Sequence, residues 1–115
     1  MNNIKDDKDS IKILLENIDI IISHTKGINY IDFKNNILLL DAIMYRLILI
    51  EEYIKTIYEK YKKINYNINW VNIINLVKTI VNDYDIIDYS LVYEVISNDI
   101  YDLRDNLMSS VVCSL

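Results

Sequence analysis

Residues 36–62 read NILLLDAIMYRLILIEEYIKTIYEKYK and carry apolar side chains at helical spacing over their whole length. Neither proline nor glycine interrupts them, and Asp41 lies near the start while Lys60 and Lys62 lie near the end, as a helix dipole favours. The stretch therefore predicts a long amphipathic helix. Its expected buried stripe is Ile37, Leu40, Met44, Leu47, Ile48, Ile54, Ile57 and Tyr61.

Three further segments have the same periodicity and predict helices over roughly residues 4–25, 70–82 and 89–108. Each has one apolar face that must be buried against another element. The expected inward residues are Ile11, Leu14, Leu15, Ile18, Ile21 and Ile22 in the first helix, Ile73, Ile74, Val77 and Val81 in the third, and Leu91, Val92, Val95, Ile96, Ile100, Leu103 and Leu107 in the fourth.

The boundaries between these helices depend on asparagine, aspartate and glycine. Gly27 is the expected stop of the first helix, and residues 29–33 are expected to form one short helical turn. Asn69 is suited to cap the third helix, and Asp88 or Ser90 the fourth. Residues 109–115 are expected to fray.

Composition favours the same architecture. The chain has 115 residues, of which 52% are hydrophobic and 25% charged, with no proline and a single glycine. Such a chain folds, and it lacks the residues that form β-hairpins and long loops. We therefore predict one domain over residues 1–115 with an all-α fold, an antiparallel four-helix bundle.

The charge balance and the rare residue types exclude several classes of protein. A net charge of −5 and a pI near 4.7 argue against binding nucleic acid through its backbone, and the short run of Lys60, Lys62 and Lys63 is typical of a solvated helix end. One histidine and one cysteine, Cys113, cannot form a metal site, and no glycine-rich phosphate loop is present. No cofactor is expected. Without a signal peptide or a long apolar run, the protein is expected to be soluble and cytoplasmic.

The order of several landmarks resembles the HepT-like family, a branch of the HEPN helical superfamily. Residues 29–33 are similar to the family's "sFeeF" turn, and Asp41-Ala42-Ile43 with Arg46-Leu47 to its "DAvxRrLe" stretch. Residues 68–74 are similar to the start of "iPWreiigmRN", and residues 88–103, DYSLVYEVISNDIYDL, to "DxeivWeiikndLpeL". The resemblance implies a homodimer that pairs its third and fourth helices, and a minimal nucleotidyltransferase as partner.

The family's catalytic signature is Arg, four residues, His, one residue, Tyr. Its spacing selects Val77, Asn82 and Tyr84 in this chain, so only the tyrosine matches. Metal-independent RNA cleavage needs a group that moves protons near neutral pH and a cation for the charged phosphate. Asn82 takes no proton and Val77 has no charge; Val77 is expected to pack with its apolar neighbours, whereas Lys78 is a possible substitute cation.

The remaining aromatic and histidine residues carry two interpretations each. The resemblance implies that Tyr84 accepts AMP from the nucleotidyltransferase, but it is also one of ten tyrosines. Trp70 and Tyr93 are expected to be core or interface anchors. His24, the only histidine, is interpreted as a cap at the end of the first helix in preference to a catalytic group.

Three functional hypotheses follow. The preferred one is a HepT-like toxin-antitoxin component that binds a nucleotidyltransferase and has lost ribonuclease activity. The second is an active ribonuclease toxin that uses Lys78, Asn82 and Tyr84. The third is a helical protein-interaction module, because a fold does not fix a function.

Overall fold

The computed structural model describes the backbone of residues 3–61, 75–80 and 87–114 and the side chains of residues 9–57, 75–80 and 87–109. These parts contain helices and no strand, which confirms the all-α prediction. In chain order the helices are α1 (Asn3–Thr25), α2 (Tyr30–Lys34), α3 (Ile37–Tyr61), α4 (residues 75–80), α5 (Tyr89–Glu94), a π-helical turn (Val95–Asp99) and α6 (Ile100–Ser114). None of the described helices is long and apolar enough to cross a membrane.

Polar side chains form the predicted turns between the first helices. Gly27 ends the α1 region with φ of 78°, a left-handed conformation that a glycine adopts without strain. The Asn29 side chain accepts the backbone N–H of Asp32 at 2.8 Å and so caps α2. Asn36 caps α3 in the same way, accepting from Leu39 at 3.0 Å. The sequence-based expectation of a short helical turn over residues 29–33 is confirmed.

Three long elements share one core, and two of them, α3 and the α5–α6 region, run antiparallel to α1. Asn17 in the middle of α1 contacts Arg46 of α3, and His24 near the end of α1 lines a groove with Leu39 near the start of α3. The α5–α6 region also runs opposite to α1, because Tyr93 in α5 contacts Ile28 just beyond the end of α1, whereas Arg104 further along bonds Asp19 within α1 at 2.7 Å. α4 contributes two buried side chains to the same core, which completes a four-helix bundle.

The buried face of α3 differs from the predicted stripe. Ile37 is 65% exposed and Ile48 is 37% exposed, so the prediction that they are buried is wrong. Ile43 and Ile50 are buried instead. The physical reason is that α3 packs against both α1 and α2, which rotates its buried arc away from Ile37 and Ile48. The side chain of Tyr61 lies outside the described residues.

The helix predicted over residues 89–108 corresponds to α5, the π-helical turn and α6. It begins where the sequence predicted and extends beyond its predicted end. Asp88 caps α5 by accepting the backbone N–H of Leu91 at 3.1 Å. The helix continues to Ser114, and Leu103 and Leu107 anchor α6 in the core. Fraying of residues 109–115 stays a prediction. The π-helical turn was not predicted. Of the predicted third helix, residues 75–80 are helical, and the rest, including Asn69, lies outside the described residues.

Candidate functional site

The described part of the predicted catalytic signature lies on α4. Val77 is 3% exposed and Ile80 is 5% exposed, three residues apart on the face that joins the core. Lys78 is exposed. The position that the spacing assigns to an arginine therefore holds a buried aliphatic side chain, as expected from its place in the apolar stripe. Asn82, Tyr84 and Trp70 lie outside the described residues.

Tyr93 of α5 contacts the connection between α1 and α2. Its hydroxyl donates to the backbone carbonyl of Ile28 at 2.8 Å. Its ring meets Tyr30 edge-on, with centroids 5.3 Å apart, and the fully buried Phe33 at 5.6 Å. Among the described residues, Tyr93 therefore packs within its own chain. That it also anchors an interface between protomers stays a prediction.

A cavity of about 520 Å³ adjoins this aromatic cluster. Backbone and side chains of the α1–α2 connection form one wall, and the π-helical turn with the residues around it forms the other. The lining residues are Thr25, Gly27, Ile28, Asn29, Tyr93, Ile96, Ser97 and Tyr101. The described residues of this lining have hydroxyl and amide groups and no ionisable group beyond the two tyrosines, so none of these side chains supplies a fixed cation.

Acidic side chains surround the π-helical turn. Partial burial raises the pKa of Asp99 above its ordinary value of 3.8, and the nearby carboxylates of Glu94 and Asp102 raise it further. In contrast, hydrogen bonds from the Ser90 hydroxyl and the Leu91 backbone lower the pKa of Asp88. This end of the molecule is unfavourable for a phosphate group because like charges repel.

His24 and Arg46 lie on opposite sides of a second groove, between α1 and α3. The groove has a volume of about 200 Å³ and is lined by Ile20, Ile21, His24, Leu39, Ala42, Ile43 and Arg46. His24 is exposed in the last turn of α1, where the sequence placed it as a cap. The sequence did not predict that the only histidine shares a groove with an arginine.

A polar contact inside the helix pair holds Arg46. Asn17 is 5% exposed; its Nδ2 donates to the Ile13 carbonyl and its Oδ1 accepts from Arg46 Nη1, both at 2.9 Å. The guanidinium also lies 5.5 Å from the centre of the Tyr45 ring. The burial of Asn17 could have been predicted from the helical spacing of Ile13, Asn17 and Ile20, because this spacing places the amide on an apolar face.

Glu51 is a second buried polar residue that the sequence analysis missed. Its Oε1 lies 3.1 Å from Lys55 Nζ, and this hydrogen bond with the nearby charge raises the pKa of Lys55. Its Oε2 is buried and has no hydrogen-bond partner among the described residues. The structure offers no chemical use for this oxygen.

Large apolar side chains are exposed on α2 and along the outer face of α3. Leu38 is the most exposed, at 82%. The others on these two helices are Ile31, Ile37, Tyr45 and Ile48. Such a concentration is typical of a surface that contacts another protein.

Two known proteins are similar in sequence to this chain. A relative from Methanocaldococcus jannaschii named "Gamma-glutamylcyclotransferase and putative RNase" is 28% identical over 104 residues, which are 90% of this chain and 47% of the relative. The chain thus spans about half the length of that protein. A second, named "Putative RNase" and from the same organism, is 28% identical over 87 residues, 76% of this chain and 80% of the relative.

No solved structure matches the chain at a significant level. The family model described as "Ribonuclease HepT-like" matches residues 14–109, from the middle of α1 to the second half of α6. This match includes every helix that forms the core. The chain therefore belongs to the ribonuclease HepT-like family.

Proposed function

We propose that this protein is a HepT-like toxin-antitoxin component that binds a minimal nucleotidyltransferase and does not cleave RNA. The observation that carries the proposal is that Val77 of α4 is buried in the core of the domain, although the family signature has an arginine at this position. A buried aliphatic side chain supplies neither charge nor hydrogen bonds to a phosphate. Asn82, at the histidine position of the signature, cannot take a proton.

The location of the only histidine supports the same proposal. His24 lies in the last turn of α1 and faces a groove with α3, whereas the signature belongs to α4 and the segment that follows it. General acid–base catalysis requires the imidazole within hydrogen-bond reach of the proton it transfers. The signature itself supplies no such group, because its histidine position holds Asn82.

The exposed apolar face of α2 and α3 supports association with another protein. We assign it to a second copy of this chain, because a two-fold contact buries the same apolar surface on both protomers. This contact differs from the pairing of the predicted third and fourth helices, α4 and α5–α6 in the structure, that the family resemblance implies. Leu38→Asp places a charge in that surface and is expected to convert the dimer to a monomer, as measured by light scattering after size-exclusion chromatography. A dimer that persists in this variant contradicts the assignment.

The partner is tested by co-expression with a minimal nucleotidyltransferase, followed by co-purification and intact mass. We expect a stable complex and the mass of one added AMP per chain, with Tyr84→Phe retaining the complex and losing the added mass. Another tyrosine variant, Tyr101→Phe, is the matched control and should keep both. Two proteins that elute separately and without added mass would contradict the proposal and favour a helical interaction module of another kind.

A second candidate function is ribonuclease activity with non-standard residues. Lys78 is exposed beside Val77 and offers a cation at the surface, and the two relatives are named as putative RNases. The candidate would use Lys78, Asn82 and Tyr84. Lysine is a point charge and lacks the planar fork with which arginine holds a phosphate. Growth arrest on expression, with cellular RNA cut in the parent chain and intact in Lys78→Ala, would favour it.

A further inference from the structure

The groove between α1 and α3 combines an apolar floor with two cationic or hydrogen-bonding groups. Five of its seven lining residues are aliphatic, and the other two are His24 and Arg46. An apolar cavity of about 150 Å³ accommodates benzene. The volume of about 200 Å³ therefore suits one six-membered ring, or a branched chain of similar size, with a small substituent.

Arg46 is held in place before any ligand arrives. Its Nη1 donates to the Oδ1 of the buried Asn17 at 2.9 Å, and its Cζ lies 5.5 Å from the centre of the Tyr45 ring. A guanidinium has five N–H donors, and one bond to Asn17 leaves the others available. Across the residues that the structure describes, no carboxylate is paired with Arg46, unlike Arg104, which is paired with Asp19.

Asn17 is a neutral partner, so it orients the guanidinium without neutralising its charge. A charge-assisted bond from arginine to a carboxylate or phosphate is stronger than one between neutral groups, and the planar fork can make two such bonds. His24 borders the same groove and can donate from its ring to the same anion. The aliphatic floor would meanwhile bury the apolar part of the ligand.

From these contacts we propose that the α1–α3 groove is a binding site for a small organic anion, with a single ring or branched apolar body in the groove and its anionic group on Arg46 and His24. The site is separate from α4 and from the family signature. It needs neither RNA cleavage nor a nucleotidyltransferase.

Titration of the full-length, ¹⁵N-labelled protein with three ring compounds tests the proposal by NMR. Benzoate and phenyl phosphate carry the two possible anionic groups, and benzyl alcohol is the neutral control. We expect shifts confined to amides near residues 20–24 and 39–46, and binding of at least one anion about tenfold or more tighter than that of the alcohol. The tighter anion identifies the head group.

Three variants separate recognition from folding. Arg46→Gln should remove the preference for the anion, and Ala42→Phe should fill the groove and weaken all three compounds while leaving Arg46 and Asn17 intact. Arg104→Gln is the control: it removes the arginine of α6 that is paired with Asp19, outside the groove, and should bind the three compounds like the parent chain. Equal affinity for anion and alcohol, absence of shifts at millimolar concentrations, or undiminished binding by Ala42→Phe would each overturn the proposal.

Discussion

At the scale of single residues, the Tyr93 hydroxyl is one contact between distant parts of the chain that can be removed without changing shape. Tyr93→Phe loses the 2.8 Å bond to the Ile28 carbonyl and keeps the ring packing on Tyr30 and Phe33. We expect the free energy of unfolding to fall by about 1 kcal/mol in a urea titration. Tyr101→Phe, whose hydroxyl makes no described bond, is the control and should have almost no effect.

Gly27 tests backbone strain in isolation from packing. Its φ is 78°, and a Cβ added there would meet nothing within 4 Å. Gly27→Ala should therefore destabilise the fold by about 1–2 kcal/mol through the left-handed backbone alone. Gly27→Asn should cost less because asparagine tolerates this conformation. Equal thermal stability of the two variants would contradict this explanation.

At the scale of an element, Asp88 and Asp99 at the two ends of α5 and its π-helical turn should have opposite effects on stability as pH changes. Hydrogen bonds from Ser90 and Leu91 lower the pKa of folded Asp88 below 3.8. Its contribution is complete above 3.8 and is lost as pH falls through the lower folded pKa. Asp88→Ala should therefore be destabilised most at neutral pH, whereas Asp88→Asn keeps the cap and should be destabilised less.

For Asp99 the sign is reversed. Burial and the charges of Glu94 and Asp102 raise its folded pKa above 3.8, so stability falls as pH rises from 3.8 through that higher pKa. Asp99→Asn should be more stable than the parent chain at neutral pH, and the gain should disappear below pH 3.8. Thermal melts across this range measure the difference. A gain that is the same at every pH would contradict a charge effect.

Most of the helical elements could be predicted from sequence because their signals are local. The cap at Asp88 and the stop at Gly27 act within a few residues, and apolar periodicity predicts the inward face of α6. The exposure of Ile37 and Ile48 could not be predicted in this way. It depends on where α1 and α2 contact α3, which is a tertiary property that the pattern of one helix does not contain.

At the scale of the whole molecule, sequence reasoning identified the family and only part of the candidate site. The order of landmarks along the chain carries the family, and the apolar stripe predicted that Val77 is buried. The sequence could not show that His24 and Arg46 line the same groove, since they are on different helices and either residue alone is typical of a helix surface. Asn82 and Tyr84 remain tied to the signature by spacing alone.

RNA cleavage by the purified full-length protein is the most direct test of the central claim, that this HepT-like chain does not act as a ribonuclease. The parent chain, Lys78→Ala and Tyr84→Phe are purified identically and incubated with total RNA, and RNA integrity is read on a denaturing gel. The account predicts intact RNA with all three proteins. Cleavage by the parent chain that disappears in either variant would contradict it.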